Sequence, residues 1–153
     1  MKKSLITVLA LSGVGVALSG VSALAHADTT TISNQMPSNG YVVLDNSNKV
    51  IEASSPVLLN NKTAKDKSAF LFGNSFAAVN PVSSHGTWTY FVDHRGLHDY
   101  KWSHSNYHDT KYYHYGKAKV GKGGYVTRYA SAGHWAYATA KGHGKAYAYY
   151  GYR

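Results

Sequence analysis

Near its C-terminal end the chain alternates strictly between alanine and larger side chains, and this pattern limits the possible folds more than any other feature. Residues 135–140 read Trp-Ala-Tyr-Ala-Thr-Ala, and residues 145–149 read Lys-Ala-Tyr-Ala-Tyr. A period of two is that of a β-strand, with large side chains on one face and alanines on the other. Because the glycine-rich residues 141–144 lie between the two segments, the sequence predicts a β-hairpin. Its alanine face would allow a second sheet to approach closely.

Further strands are predicted across the last seventy residues. Segments 87–92, 100–104, 109–115 and 124–129 are rich in β-branched and aromatic residues, and glycine-rich turns separate several of them. No stretch after residue 84 has a helical period. About six short strands predict an all-β fold, a small antiparallel β-sandwich or barrel, over residues 84–153.

Residues 1–27 have the pattern of a secretory signal peptide. Two lysines are followed by an apolar run and then by Ala25-His26-Ala27, which fits cleavage before Asp28. An uncleaved membrane anchor is the alternative, but glycines and serines interrupt the run, which is shorter than the about 20 apolar residues that a spanning helix needs. We therefore expect a secreted, extracellular protein. It contains no cysteine, so no disulfide can stabilise it.

Residues 28–83 form a neutral block with four acidic residues, four lysines and one tyrosine. Segments 41–44 and 49–52 flank a polar turn and predict one β-hairpin. Segments 29–39 and 60–68 have the composition of loops or disordered chain, so the region before residue 84 reads as largely irregular. We interpret the block as a pro-region or spacer with little fold of its own, joined to the next block near Pro81. The alternative is an extra hairpin packed on the main domain.

Residues 84–153 are basic and aromatic. They carry ten lysines and arginines against three acidic residues, a formal charge of +7 (10 − 3), and thirteen of the fourteen tyrosines. Cations attract phosphate, and rings stack on sugars or lie at a membrane interface. The composition predicts an anionic, partly apolar partner, with contact at a membrane surface as a further expectation. Nucleic acid fits the same pattern, but a secreted protein rarely meets it, so we expect no nucleic-acid partner.

Histidine spacing raises the question of a metal site. His94 and His98 are four residues apart, as are His104 and His108, a spacing compatible with metal ligands. A third and fourth ligand at tight spacing are missing from the sequence, so we expect no metal and no cofactor. The simpler interpretation is polar surface histidines that bond tyrosines and add positive charge at acidic pH.

Catalysis has little support in the sequence. Residues 84–153 contain no glutamate, and their three aspartates lie in turn-like contexts where a solvated loop residue is the default; they are Asp93, Asp99 and Asp109. No nucleophile-elbow or metal-hydrolase motif accompanies them. We expect a binding protein and not an enzyme, with a cell-wall hydrolase as the alternative in which these aspartates would be required.

Several short motifs within residues 84–153 follow an order similar to that in the lactococcin 972 family of bacteriocins. They are Gly86-Thr87-Trp88, Ser105-Asn106-Tyr107-His108, His114, Ala132-Gly133-His134-Trp135-Ala136-Tyr137-Ala138 and Ala146-Tyr147-Ala148-Tyr149-Tyr150. The resemblance implies a secreted antibacterial protein with a β-sandwich fold and a tendency to form a homodimer. It also implies inhibition of septum formation through binding of the cell-wall precursor lipid II, without catalysis.

On this hypothesis the target-binding side chains fall into three groups. The candidates are Trp88, Trp102, Tyr107 and Trp135 for ring contacts, unless these rings fill the core; Asn106, His108 and His114 for headgroup hydrogen bonds; and Lys111, Lys117, Lys119 and Lys122 for phosphate attraction. A cell-wall or polysaccharide-binding adhesion module is the alternative function. It would be retained on the wall without killing the cell.

Overall fold

A computed structural model describes residues 27–59 and 83–153, which form two packed antiparallel sheets. Strands β1 (Asp28–Ser33), β4 (Ser84–Asp93), β5 (Tyr100–Asp109) and β8 (Trp135–His143) form the first sheet, in the order β1-β4-β5-β8. Strands β2 (Asn39–Leu44), β3 (Val50–Ala53), β6 (His114–Val120), β7 (Val126–Ala130) and β9 (Ala146–Tyr152) form the second, in the order β3-β2-β9-β6-β7. A four-residue helix α1 (Pro56–Leu59) follows β3. The predicted all-β sandwich is confirmed.

Large aromatic side chains fill one part of the space between the sheets. The ring of Trp88 lies 4.4 Å from that of Tyr90 and 4.8 Å from that of Tyr150, centroid to centroid. All three are buried together with aliphatic side chains of β1 and β2. The indole Nε1 of Trp88 donates to Ser105 Oγ at 2.9 Å, so its polar atom is satisfied inside the core.

Small side chains fill the other part, and there the sheets approach closely. Ala138 and Ala140 of β8 in the first sheet pack against Ala118 and Val120 of β6 in the second. Ser103 Oγ donates to the carbonyl oxygen of Tyr147 at 3.0 Å, and Ser105 Oγ to that of Tyr149 at 2.6 Å, so hydrogen bonds run directly between the sheets. The close approach expected from the alanine face is therefore present.

The predicted hairpin of the two alternating segments is wrong, although both segments are strands. Strand β8 pairs with β5, and β9 pairs with β2 and β6, so the two strands lie in opposite sheets. The connection passes Gly144, with φ of 104°, and packs against Gly121, where an added Cβ would lie 1.9 Å from the carbonyl oxygen of His143. Alternation fixes which face of a strand is buried, but it does not distinguish a ladder neighbour from a strand across the core.

The strand predicted over 109–115 is also wrong. The carboxylate of Asp109 accepts hydrogen bonds from the backbone N–H groups of Lys111 (2.9 Å) and Tyr112 (3.0 Å), which forms a turn. This turn carries the chain from β5 in the first sheet to β6 in the second, and β6 begins only at His114.

The interpretation of the middle block as a spacer with little fold is wrong for residues 28–59. The predicted hairpin is present as β2 and β3, and β2 lies between β3 and β9 inside the second sheet. Strand β1, in a stretch predicted to be loop, pairs with β4 and directs Thr30 and Ile32 into the core. The hairpin packed on the main domain is thus the correct alternative.

Two of the sequence-based expectations fall outside the described residues. The first is the signal peptide, since residues 1–26 are not described. The second is the region of the predicted loop 60–68 and the joint near Pro81, since residues 60–82 are not described. In the part of the chain that is described, no helix has the length and apolar character needed to cross a membrane.

Candidate functional site

The predicted target-binding residues do not form one site, because the structure distributes them over both outer faces of the sandwich. Asn106, His108 and Trp135 lie on the outer face of the first sheet. Lys117 and Lys119 lie on the outer face of the second sheet. The remaining exposed lysines of the set lie on turns: Lys111 between β5 and β6, and Lys122 between β6 and β7.

Three of the predicted contact residues are buried in this structure. Trp88 and Tyr107 are core residues with no exposed surface, and His114 is 1% exposed. Both ring nitrogens of His114 face backbone carbonyls, Nδ1 that of Tyr112 at 2.9 Å and Nε2 that of Tyr107 at 3.1 Å. These residues hold the fold together, which corrects their assignment to the binding surface.

Trp102 lies on the outer face of the first sheet, but other side chains cover its ring. His94 stacks on it with centroids 3.9 Å apart, and Nζ of Lys141 lies 3.7 Å from the ring centroid. These contacts with an imidazole and an ammonium group tie Trp102 on β5 to the β4–β5 connection and to β8. It is not a free ring for stacking on a sugar.

The outer face of the second sheet combines cations with tyrosines. We call it the lysine–tyrosine face and define it by Tyr41, Tyr115, Lys117, Lys119, Tyr125, Tyr129, Tyr147 and Tyr149. Lys117 is the direct cross-strand neighbour of Tyr149, and Lys119 is that of Tyr147. The alternation of β6 and β9 therefore places two ammonium groups among aromatic rings.

Cation–π contacts hold the two lysines of this face in place. Nζ of Lys117 lies 4.7 Å from the ring centroid of Tyr149 and 4.9 Å from that of Tyr125. Nζ of Lys119 lies 4.8 Å from the ring centroid of Tyr125, so this ring contacts both lysines. At exposed sites such a contact contributes about 0.5–1 kcal/mol. The ammonium groups are thus oriented and keep hydrogen atoms for an incoming anion.

The hydroxyls of Tyr41 and Tyr149 on this face stay protonated at physiological pH, because their surroundings raise the pKa of each. Burial, and then hydrogen bonding with Tyr125, raises the pKa of Tyr149 well above its ordinary value. A hydrogen bond from the Tyr41 hydroxyl to Glu52 (3.0 Å) raises the pKa of Tyr41. Glu52 lies on β3, the strand next to β2, so the carboxylate that accepts from Tyr41 is at the edge of the sheet away from the lysines.

A small cleft adjoins the lysine–tyrosine face. It has a volume of about 140 Å³ and is lined by Tyr113, His114, Tyr115, Tyr129, Tyr152 and Arg153. The guanidinium of Arg153 lies 5.4 Å from the ring centroid of Tyr113. The cleft therefore extends the basic and aromatic surface by one further cation.

Each of the three aspartates considered for catalysis has its own set of partners. Asp93 accepts from His94 Nδ1 at 2.8 Å and from His104 Nε2 at 2.9 Å. Asp99 pairs with Lys101 and with Asn46. Burial would raise the pKa of Asp93, but the two histidine hydrogen bonds outweigh it and lower the pKa. These contacts give Asp93 and Asp99 structural roles, in which each carboxylate binds neighbouring side chains.

Asp109 is fully buried, which corrects its assignment to a solvated loop. Its Oδ2 lies 2.8 Å from His85 Nδ1 and accepts from the Tyr107 hydroxyl at 2.5 Å. Burial alone would raise the pKa of Asp109, but the bond from Tyr107 and those from two backbone N–H groups lower it. The buried carboxylate therefore remains ionised and joins β4, β5 and the turn before β6.

One histidine of each predicted pair, His94 and His104, bonds Asp93, but His98 and His108 do not join them there. His104 and His108 lie on the same outer face of β5, whereas His94 and His98 lie in the connection between β4 and β5. Within residues 27–59 and 83–153, no group of three His, Asp or Glu side chains is arranged to hold a metal ion.

Sequence reasoning missed the tyrosines that surround the two lysines. Lys117 and Lys119 are separated by one residue on β6, and Tyr147 and Tyr149 are separated by one residue on β9. This shared spacing is the sequence signal that could have indicated that the two pairs are cross-strand neighbours. The register that places one pair beside the other is not visible in the sequence.

Comparison with protein-family models, curated proteins and solved structures found no match to this chain. The chemistry of the two outer faces is therefore the main guide to function.

Proposed function

We propose that this protein is a secreted antibacterial protein of the bacteriocin type. It captures an anionic cell-wall precursor on the lysine–tyrosine face and so blocks septum or cell-wall synthesis without catalysis. The main support is the pair Lys117 and Lys119, held among tyrosine rings on an open sheet face. The resemblance to the lactococcin 972 family suggests lipid II as the precursor.

The chemistry of lipid II suits this face. Its pyrophosphate would be attracted by two oriented ammonium groups and would accept hydrogen bonds from neutral tyrosine hydroxyls. Its sugars and polyprenyl chain need amphipathic rings, which tyrosine supplies at the boundary between headgroups and acyl chains. Sequestration of the precursor is sufficient to stop its use, so no covalent step is required.

A charge-matched pair of variants tests the proposal. Lys117→Gln/Lys119→Gln removes both cations from the lysine–tyrosine face, whereas Lys49→Gln/Lys145→Gln removes two exposed turn lysines and changes the net charge equally. Binding is measured on vesicles that contain lipid II, and inhibition on growing Gram-positive cells. We expect the first variant to bind about tenfold more weakly and the second to bind as the wild type does.

Addition of excess lipid II to the culture provides the second arm of this test. Free lipid II should compete for the protein and restore growth of treated cells. Growth arrest that excess lipid II does not relieve would rule out this target. An equal loss of binding in both lysine variants would mean that only the overall positive charge matters.

An adhesion module that binds the cell wall is the second candidate, and the openness of the lysine–tyrosine face favours it. The cations lie on a sheet surface and not in an enclosed cavity, so a long polyanion such as a teichoic acid could lie across them. This function predicts retention on purified wall that is lost at high salt, because exposed ion pairs are screened. It also predicts no growth arrest at concentrations that saturate the wall.

A further inference from the structure

The outer face of the first sheet carries two adjacent rows of cross-strand neighbours without any charged side chain. We call them the neutral patch, which consists of Thr87, His108 and Trp135 in one row and Thr89, Asn106 and Tyr137 in the next. The whole chain has a formal net charge of +9 with histidine neutral. On so basic a protein, a surface free of Lys, Arg, Asp and Glu is a separate chemical environment.

Unused hydrogen-bonding groups lie at the centre of the neutral patch. Among the described residues, the side chains of Asn106 and His108 have no hydrogen-bond partner, although His108 contacts the Trp135 ring. His104, the preceding residue on the same face of β5, differs, since its two nitrogens contact Asp93 and Thr139. A half-buried amide gains from a partner that replaces water, so Asn106 and His108 are available to a ligand.

Exposed aromatic rings border these groups. Trp135 is 40% exposed and Tyr137 60% exposed, and their rings stack with centroids 5.6 Å apart on β8. The Trp135 ring also lies 5.2 Å from the imidazole of His108. Aromatic rings can cover the apolar C–H face of a sugar while neighbouring amide, imidazole and hydroxyl groups bond its hydroxyls.

We propose that the neutral patch is a second binding site and that it takes a neutral glycan chain. A polyanion would instead be drawn to the lysine–tyrosine face, where the cations are. The patch crosses β4, β5 and β8, so an extended chain can contact both rows. This site is additional to the capture of an anionic precursor, since it lies on the other sheet and uses other residues.

Calorimetric titration of the full-length secreted protein with chitohexaose and with cellohexaose tests this site. The first glycan carries acetamido groups and the second only hydroxyls, and binding of either supports the proposal. We expect the affinity to be unchanged between about 0.15 M and about 1 M NaCl, because no charge takes part. Tyr137→Ala and Asn106→Ala should each weaken binding about tenfold.

Matched controls separate the neutral patch from general effects. Tyr129→Ala removes a tyrosine that is also 60% exposed, but on the second sheet, and should leave glycan binding unchanged. Lys117→Gln/Lys119→Gln should leave it unchanged as well, so that failure of one proposed site can be told from failure of the other.

Four results would overturn the glycan site. The first is that neither glycan binds at millimolar concentration. The second is loss of binding at high salt. The third is that Tyr129→Ala weakens glycan binding as much as Tyr137→Ala does. The fourth is a dimer in solution that Tyr137→Ala alone converts to a monomer, since that would assign the patch to contact between two copies of the chain.

Discussion

Replacement of Gly116 by alanine tests how closely the two sheets pack. A Cβ atom at this position on β6 would lie 2.5 Å from the carbonyl oxygen of Ser105 and 2.8 Å from that of Ala136, both in the first sheet. Cβ atoms essentially never approach other atoms within 3.0 Å, so the backbones must separate by at least 0.5 Å (3.0 − 2.5). Because both neighbours are backbone atoms, no side-chain rotation can relieve the clash.

The expected effect is large for so small a substitution. Overpacking in a core destabilises proteins by about 1–3 kcal/mol, and because the neighbours are rigid we expect Gly116→Ala to cost about 3 kcal/mol. For a domain of this size that change lowers Tm by about 12–24 °C. Urea unfolding followed by tryptophan fluorescence measures the free energy of unfolding, and thermal unfolding gives Tm.

Gly124 provides the control for this prediction. An added Cβ there meets nothing within 4 Å, so Gly124→Ala should change stability by less than about 1 kcal/mol. If Gly116→Ala and Gly124→Ala unfold at the same urea concentration, the close packing of the two sheets is refuted.

Two further predictions concern buried polar groups. Asp109→Asn should destabilise the fold by about 3 kcal/mol, because the buried carboxylate accepts from Tyr107 and from two backbone N–H groups. The folded-state pKa of Asp109 lies below its ordinary value. The stability that the ionised carboxylate provides is therefore complete above about pH 4 and is lost as the pH falls through the folded pKa. Urea midpoints measured at decreasing pH should show this loss in the wild type and less of it in Asp109→Asn. Asn48 has φ of 67° and bonds both the N–H and the carbonyl of Val92, so Asn48→Gly should lose about 1–2 kcal/mol and Asn48→Ala about 1 kcal/mol more, because alanine resists positive φ. An equal Tm for these two Asn48 variants would contradict the backbone part of this argument.

Sequence patterns predicted the faces of the strands better than their partners. The alternation in 135–140 correctly indicated a strand with a buried alanine face, because burial follows directly from a period of two. It could not show that β8 and β9 lie in opposite sheets, since pairing depends on long-range register.

Strand β1 shows why composition does not reveal the fold of the middle block. Its sequence Asp-Thr-Thr-Thr-Ile-Ser has one strongly apolar residue, Ile32, which is buried. As an edge strand with an open outer face, it needs few apolar side chains, so its composition resembles that of a loop. The antiparallel pairing with β4 makes this segment a strand, and that pairing is not visible in the local sequence.

The candidate site was only partly predictable for a related reason. Composition indicated an anionic, partly apolar partner, and the lysines of the lysine–tyrosine face were among the predicted residues. Whether an aromatic residue is core or surface depends on its face and on the opposing sheet, so Trp88 and Tyr107 could not be separated from Trp135. The register that gathers tyrosines around Lys117 and Lys119 is likewise a tertiary property.

The most direct test of the central claim is an NMR map of amide shifts while lipid II in micelles is added to the isotope-labelled protein. The account predicts that the largest shifts occur on β6 and β9, at Lys117, Lys119, Tyr147 and Tyr149, and that Lys117→Gln/Lys119→Gln abolishes them. Shifts that spare these four residues, or release of soluble fragments from lipid II during the titration, would contradict capture of the intact precursor on the lysine–tyrosine face.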